Sequence, residues 1–266
     1  VIYKDSSSIT TIGSIQAVNG SGAFTDYSTY NFDAALLMIH HPSMDSASQQ
    51  YEIYRSSAPG GMYQTVRANV EELYLQFGGG VNKHINGVRR FAHYAYNNST
   101  TKPVGLFLMG KAIHDGYSYG TRQNTNNFET SLIPTFGQPP SDNCITAGLE
   151  NVGIWSPLMA TGRISARSNS ELQDYLNKVI EYENKQDPTS VYDSPNKDWQ
   201  KHVIHFAGGS DTQQQGQFQG YLNNMETKIE GSLYGGEVNR VYKSSSNPLD
   251  PTILQEVTDR ISEGVS

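Results

Sequence analysis

Apolar residues along the chain fall into two kinds of pattern. Ala34-Ala35-Leu36-Leu37-Met38-Ile39 is continuously apolar and is followed at once by His40-His41-Pro42, which predicts a strand buried on both faces that leaves the core toward a site. Val66, Val70, Leu73, Tyr74 and Phe77 instead recur at three- and four-residue steps and stop at Gly78-Gly79-Gly80, predicting a helix over 62–77. Ile85, Val88, Phe91, Ala92 and Ala95 give a second helix one apolar face, ending before Asn97-Asn98, and residues 104–109 form another buried strand. A strand, helix, strand order calls for a parallel crossover.

Residues 115–150 show little periodicity and many Gly, Tyr, Asn, Ser and Pro, so they read as a long surface excursion. A short strand over 159–165 follows. Ser168 with Glu171 is a capping-box signature for a helix that turns Leu172, Leu176, Val179 and Ile180 inward. The polar stretch 186–198, with Pro188 and Pro195, predicts a boundary, beyond which the alternation restarts: a strand over 202–207, a helix carrying Phe218, Leu222, Met225 and Ile229, and a strand over 238–242. Asp250-Pro251 opens a last helix with Ile253, Leu254, Val257 and Ile261, which ends at Gly264. The expected fold class is α/β, a doubly wound and mainly parallel sheet. Its expected organisation is a lead-in over 1–31, a first subdomain over 32–186, and a second over 198–266 that is incomplete.

A length of 266 residues with 36% hydrophobic content supports one large domain or two subdomains with a real core. The net charge of −7, with Lys and Arg scattered, argues against a surface that tracks phosphates, so a nucleic-acid partner is not expected. Apolar runs fall short of the ~20 residues that a membrane span needs. The 17 Tyr, the many Asn, Ser and Gly, and the low charge suit an exported, extracellular or cell-surface protein. A single cysteine, Cys144, leaves no internal disulfide and no cysteine-based zinc site.

The chain has neither a P-loop nor a Gly-x-Gly-x-x-Gly string, and neither a serine-hydrolase elbow nor a cofactor is expected. His202 and His205 are three apart on a predicted strand and therefore point opposite ways, so no metal site is expected either. Cys144 sits in the turn Ser141-Asp142-Asn143-Cys144 with no histidine or helix start beside it, which makes it a plain cysteine rather than a nucleophile. In an open parallel sheet, ligands bind beyond the carboxyl ends of strands. That rule singles out His40, His41, His114, Asp115, Ser210 and Asp211 as cleft candidates, although strand ends also turn polar simply on meeting solvent.

The order of features resembles the gingipain-like cysteine peptidases, peptidase family C25, which include the PorU-type sortases of type IX secretion. The resemblance rests on Asp33 to Ile39, on Val81 to Tyr96 leading into Lys102-Pro103-Val104-Gly105-Leu106-Phe107-Leu108-Met109-Gly110, and on Leu132-Ile133-Pro134-Thr135. Its most specific part is Gly162-Arg163-Ile164-Ser165-Ala166, followed by Glu171-Leu172-Gln173 and Lys178-Val179-Ile180-Glu181-Tyr182-Glu183. The resemblance implies a caspase-like fold and a secreted cysteine peptidase or sortase acting on polypeptides. It places the catalytic histidine a few residues past Ser266 and the cysteine further on. No catalytic residue is then expected in this chain, which alone would be inactive and would need the remainder of the catalytic domain as its partner. The family's histidine-orienting acid would correspond to Asp211, beside Ser210. Lys111 stands where family members usually carry an acid, so the resemblance also leaves room for a catalytically dead adhesion or secretion scaffold. An unrelated sugar- or nucleotide-binding α/β domain is the third reading.

Overall fold

The computed structural model describes residues 13–15, 17–113, 125–137, 139–186, 197–243, 245 and 251–265. The chain divides into two compact units, Val1–Glu183 and Asn184–Ser266.

The first unit is built on a four-stranded sheet in the order β2-β1-β3-β4, with every neighbouring pair parallel. β1 (Ala35–His40) leads through a short 3-10 helix into α1 (Asp45–Ser56), and β2 (Gln64–Asn69) runs directly into α2 (Val70–Gln76). α3 (Asn86–Asn97), β3 (Gly105–Met109), α4 (Thr125–Thr130), β4 (Thr161–Ile164) and α5 (Asn169–Lys185) follow. Helices cover both faces of the sheet, because side chains alternate along each strand. Leu37 and Ile39 with Val66, Ala68, Leu106 and Leu108 form one face, packed against Val70, Leu73, Val88 and Phe91 of α2 and α3. Met38, Met109 and Ile164 form the other, packed against Met44, Ala47 and Tyr51 near α1 and Leu172 and Leu176 of α5. This is the doubly wound α/β arrangement expected from the alternating pattern.

The predicted helix over 62–77 is corrected: its first half is strand β2 and only its second half is α2. Val66 and Val70 are four apart, but they lie on either side of a strand-to-helix junction. Val66 and Ala68 are buried with period two, while the Asn69 side chain accepts from the Glu71 N–H and starts the helix. Helix α1, with Ala47, Ser48 and Tyr51 buried, had no counterpart in the sequence reading, because its inward face is mostly small or polar. Gly78 ends α2 as expected: a Cβ there would lie 2.6 Å from the Tyr74 carbonyl oxygen.

The second unit pairs β5 (His202–Ala207) with β6 (Glu237–Tyr242) in parallel and carries α6 (Thr212–Ile229) and α7 (Pro251–Glu263). α6 buries Gln215 and Glu226, while Phe218 and Met225 are exposed. The Gln215 amide donates to the carbonyls of Gly209 and Ser245, and Glu226 pairs with Arg240, so the buried polar groups of this helix are satisfied.

Candidate functional site

In the order β2-β1-β3-β4 the chain reverses its direction of winding between β1 and β3, which places the crevice of the first unit beyond the carboxyl ends of those strands. His40 and His41 stand at that end of β1, Asn69 at that of β2, and Gly110 and Lys111 just past β3. The backbone ladder continues past the strands: Lys111 N–H donates to the Ala166 carbonyl at 2.9 Å, and Leu132 N–H donates to the Lys111 carbonyl at 2.8 Å.

His40 is buried on the face it shares with Met38, where Arg67 of β2 reaches it from the neighbouring strand. The Arg67 guanidinium holds Asp45, Ser48 Oγ at 3.1 Å and Glu52 Oε2 at 3.1 Å, and its Nη1 lies 3.0 Å from His40 Nε2. A guanidinium has only donors, so Nε2 must be the accepting, unprotonated nitrogen. Nδ1 then donates to the His41 carbonyl at 3.3 Å. Both ring nitrogens of a neutral imidazole are thereby occupied. Burial first and the Arg67 charge second push its pKa down to about 4. A histidine in this state has no free lone pair to act as a base.

His41 is arranged differently. Its Nδ1 accepts from the Ser43 N–H at 3.2 Å and capping orients the short helix Pro42–Met44. Nε2 lies 3.5 Å from Glu71 Oε1, and burial holds the imidazole below its ordinary pKa despite that carboxylate. A cleft of about 290 Å³ opens beside this edge, lined by Thr25, Tyr30, His40, Asp45, Arg67 and Glu72. The Arg67 cluster is not legible in the sequence, because neither β2 nor α1 carries a clear apolar pattern. The one available signal was the alternation of Thr65, Arg67 and Asn69 with Val66 and Ala68.

On the far side of β3, Arg163 of β4 organises the loop that follows the strand. Its Nη1 donates to the Ile133 carbonyl at 2.8 Å and also to that of Gly110, and Nη2 donates to the Pro134 carbonyl at 3.2 Å. Nε and Nη2 each lie 2.8 Å from one oxygen of Asp142, a bidentate pair. Burial pushes the Asp142 carboxyl up, but Arg163 outweighs it and the carboxyl stays below its usual range.

Residues 29–266 match peptidase family C25. The chain belongs to that family. Its structure is also similar to a crystal structure of dimeric latent PorU from Porphyromonas gingivalis, with a TM-score of 0.46 and 18% sequence identity over 66% of this chain. The matched part is 20% of that chain. No match was found among the curated proteins.

Within this C25 chain, the most specific sequence block has a structural explanation. Arg163 ties together the loop beyond β3, and Glu183 joins α5 to α1 by pairing with Arg55 at 2.8 Å and accepting from Tyr54. The capping box is half realised: Ser168 Oγ accepts from the Glu171 N–H at 3.2 Å, whereas the Glu171 carboxylate turns to the N–H and guanidinium of Arg167.

Cys144 lies in a short 3-10 helix, Asp142–Ile145, and is partly buried. Among the described residues, no histidine is hydrogen-bonded to it. Ser210 and Asp211 sit after β5, where Asp211 accepts from the Gln214 N–H as the N-cap of α6 and Ser210 Oγ bonds Gln214 Oε1 at 3.0 Å. His114 and Asp115 lie outside the described residues. Contrary to expectation, the sequence does hold a Gly-x-Ser-x-Gly string, Gly116-Tyr117-Ser118-Tyr119-Gly120, also outside them.

The cap gives Asp211 a test. Asp211→Ala is expected to cost about 1 kcal/mol of stability, while Asp211→Asn retains most of it, since asparagine caps equally well. Urea unfolding of both variants checks this. An equal loss in both would show that the carboxylate charge, rather than the cap, matters.

Proposed function

We propose that this chain is the front part of the catalytic domain of an exported C25 cysteine peptidase or sortase. In this reading residues 32–186 form the first subdomain and 198–266 the start of the second, catalytic one. The observation that carries the reading is the family match over 29–266, taken together with the setting of the one thiol. Cys144 has no imidazole partner among the described residues, and His40 is locked neutral by Arg67. In this reading the working thiolate and its base come from elsewhere in the full-length protein. There a cysteine attacks the peptide carbonyl, a histidine takes its proton, and backbone N–H groups hold the oxyanion. The chain described here supplies scaffold and cleft walls, and it does not hydrolyse peptides alone.

The test compares the 266-residue chain with the full-length protein on a peptide library, with and without a thiol alkylator. The expected result is no turnover by the chain and alkylation-sensitive turnover by the full-length protein. Turnover by the chain, or full-length activity insensitive to alkylation, overturns the reading. Lys111 past β3, and an Asp211 engaged in capping, favour a second reading: a full-length protein that is a catalytically dead scaffold for adhesion or secretion. Full-length protein that is inert but folded selects it.

A further inference from the structure

The first turns of α6 are unusual in composition: residues 213–219 hold five glutamines, at 213, 214, 215, 217 and 219. A glutamine amide is uncharged and offers two donor hydrogens and one acceptor oxygen. Three of the five engage backbone that lies beyond the carboxyl ends of β5 and β6. Gln214 Oε1 accepts from the Ser210 N–H at 3.1 Å, and Gln219 Nε2 donates to the Lys243 carbonyl at 3.3 Å. Gln215 does more, because its Nε2 donates to the Gly209 carbonyl at 3.3 Å and to the Ser245 carbonyl at 3.0 Å. Its two amide hydrogens thus bridge the segment that follows β5 to the segment that follows β6.

The surroundings are built for this bridge. The ladder runs one step past the strands, with the Lys243 N–H donating to the Ala207 carbonyl at 2.8 Å, and the bridge takes over beyond it. Gly209 has a φ of 137°, which side chains avoid, and a Cβ there would lie 2.8 Å from the Gln215 backbone nitrogen. The turn after β5 can therefore lie against the start of α6 only with glycine at that position. Gln215 itself is 3% exposed. A methionine would fill much the same volume, so what the amide adds is the fixing of two carbonyls from different segments. In a parallel sheet the segments beyond the carboxyl ends of the strands line the ligand crevice. Fixing them fixes the crevice.

We propose that Gln215, assisted by Gln214, is a positioning residue for catalysis in the full-length protein, a role that rests on the peptidase reading above. Buried as it is, Gln215 acts through the backbone of Gly209 and Ser245 and not on the substrate. Without the bridge the two segments move independently, and a misplacement of about 1 Å near the chemistry costs on the order of 100-fold in rate.

The test measures kcat and KM of the full-length protein on a peptide that the wild type cleaves, for wild type, Gln215→Met and Gln217→Met, with circular dichroism giving the folded fraction. Gln217 is an exposed residue of the same helix whose amide donates to the Tyr221 hydroxyl at 2.7 Å, and it serves as the control. The expected result is a kcat per folded molecule lowered about 10- to 100-fold in Gln215→Met, with KM within about twofold of wild type and Gln217→Met unchanged. If Gln215→Met does not fold, the exposed Gln214→Met takes its place, and a loss of kcat with KM retained is again expected. A purely stabilising role would lower the folded fraction and leave kcat per folded molecule at the wild-type value. That outcome, a loss confined to KM, or an equal loss in Gln217→Met overturns the proposal alone. A folded wild type that cleaves no peptide overturns the peptidase reading, and the proposal with it.

Discussion

Replacing Arg163 with methionine is expected to lower the unfolding free energy of the first unit by about 3–5 kcal/mol, as the removal of one partner from a buried ion pair does. The Arg163 side chain is 9% exposed and reaches both oxygens of Asp142 and the carbonyls of Gly110, Ile133 and Pro134. Methionine fills much of the volume, so packing is nearly kept while Asp142 is left as an uncompensated charge and three carbonyls lose a donor. Urea denaturation of wild type, Arg163→Met, Asp142→Asn and the double variant checks this. The cycle should show strong coupling, because the second change removes the charge that the first exposes. Arg163→Lys should recover only part of the loss, since a point charge cannot match the bidentate fork. A loss below 1 kcal/mol for Arg163→Met would mean that the loop is held by its backbone bonds alone.

Arg163 also shows what the sequence could and could not convey. The block Gly162-Arg163-Ile164 is the most specific part of the family resemblance, yet the string alone does not say whether its arginine serves substrate or scaffold. The distinction lies in carbonyls contributed by residues 110, 133 and 134, which no local pattern links to position 163. The strands β1 and β3 were legible because central parallel strands are apolar without interruption. β2 was not, because as an edge strand it needs only Val66 and Ala68 inward, and two apolar positions cannot outweigh a helical spacing that runs on into α2. The loss of β2 had a chemical cost: without it, Arg67 had no place beside His40, and the two histidines at the end of β1 read as open candidates.

Helix α6 forms where its apolar spacing predicts a helix, but the residues it buries are polar. Phe218 and Met225 mark an apolar flank, but the helix buries Gln215 and Glu226, whose carbonyl and Arg240 partners come from other elements. Periodicity locates a helix well. It locates the buried face only when burial is driven by apolar area, and here buried hydrogen bonds and an ion pair decide it.

The state of His40 makes a second large effect measurable. Its pKa falls from an ordinary 6.5 to about 4 in the folded protein, so between those values the unfolded chain binds a proton that the folded one refuses. Stability therefore rises with pH across that window, and its contribution is complete above about pH 6.5 and lost as pH falls toward 4. At ~1.4 kcal/mol per pKa unit, the whole window is worth about 3 kcal/mol for this buried group. Asp45, whose carboxyl the Arg67 hydrogen bond holds below its usual range, loses its contribution at still lower pH, so the two effects separate along the axis. Denaturation midpoints at pH 7.0, 5.5 and 4.5, for wild type and His40→Gln, give the measurement. Glutamine can accept from Arg67 through its amide oxygen and does not titrate, so the variant should keep a flatter profile while wild type weakens. Parallel profiles would place the acid sensitivity in other groups and remove His40 from the account. A flat variant profile would establish that the imidazole is held neutral by Arg67 from one side and the His41 carbonyl from the other, which makes it part of the scaffold of the crevice rather than its base.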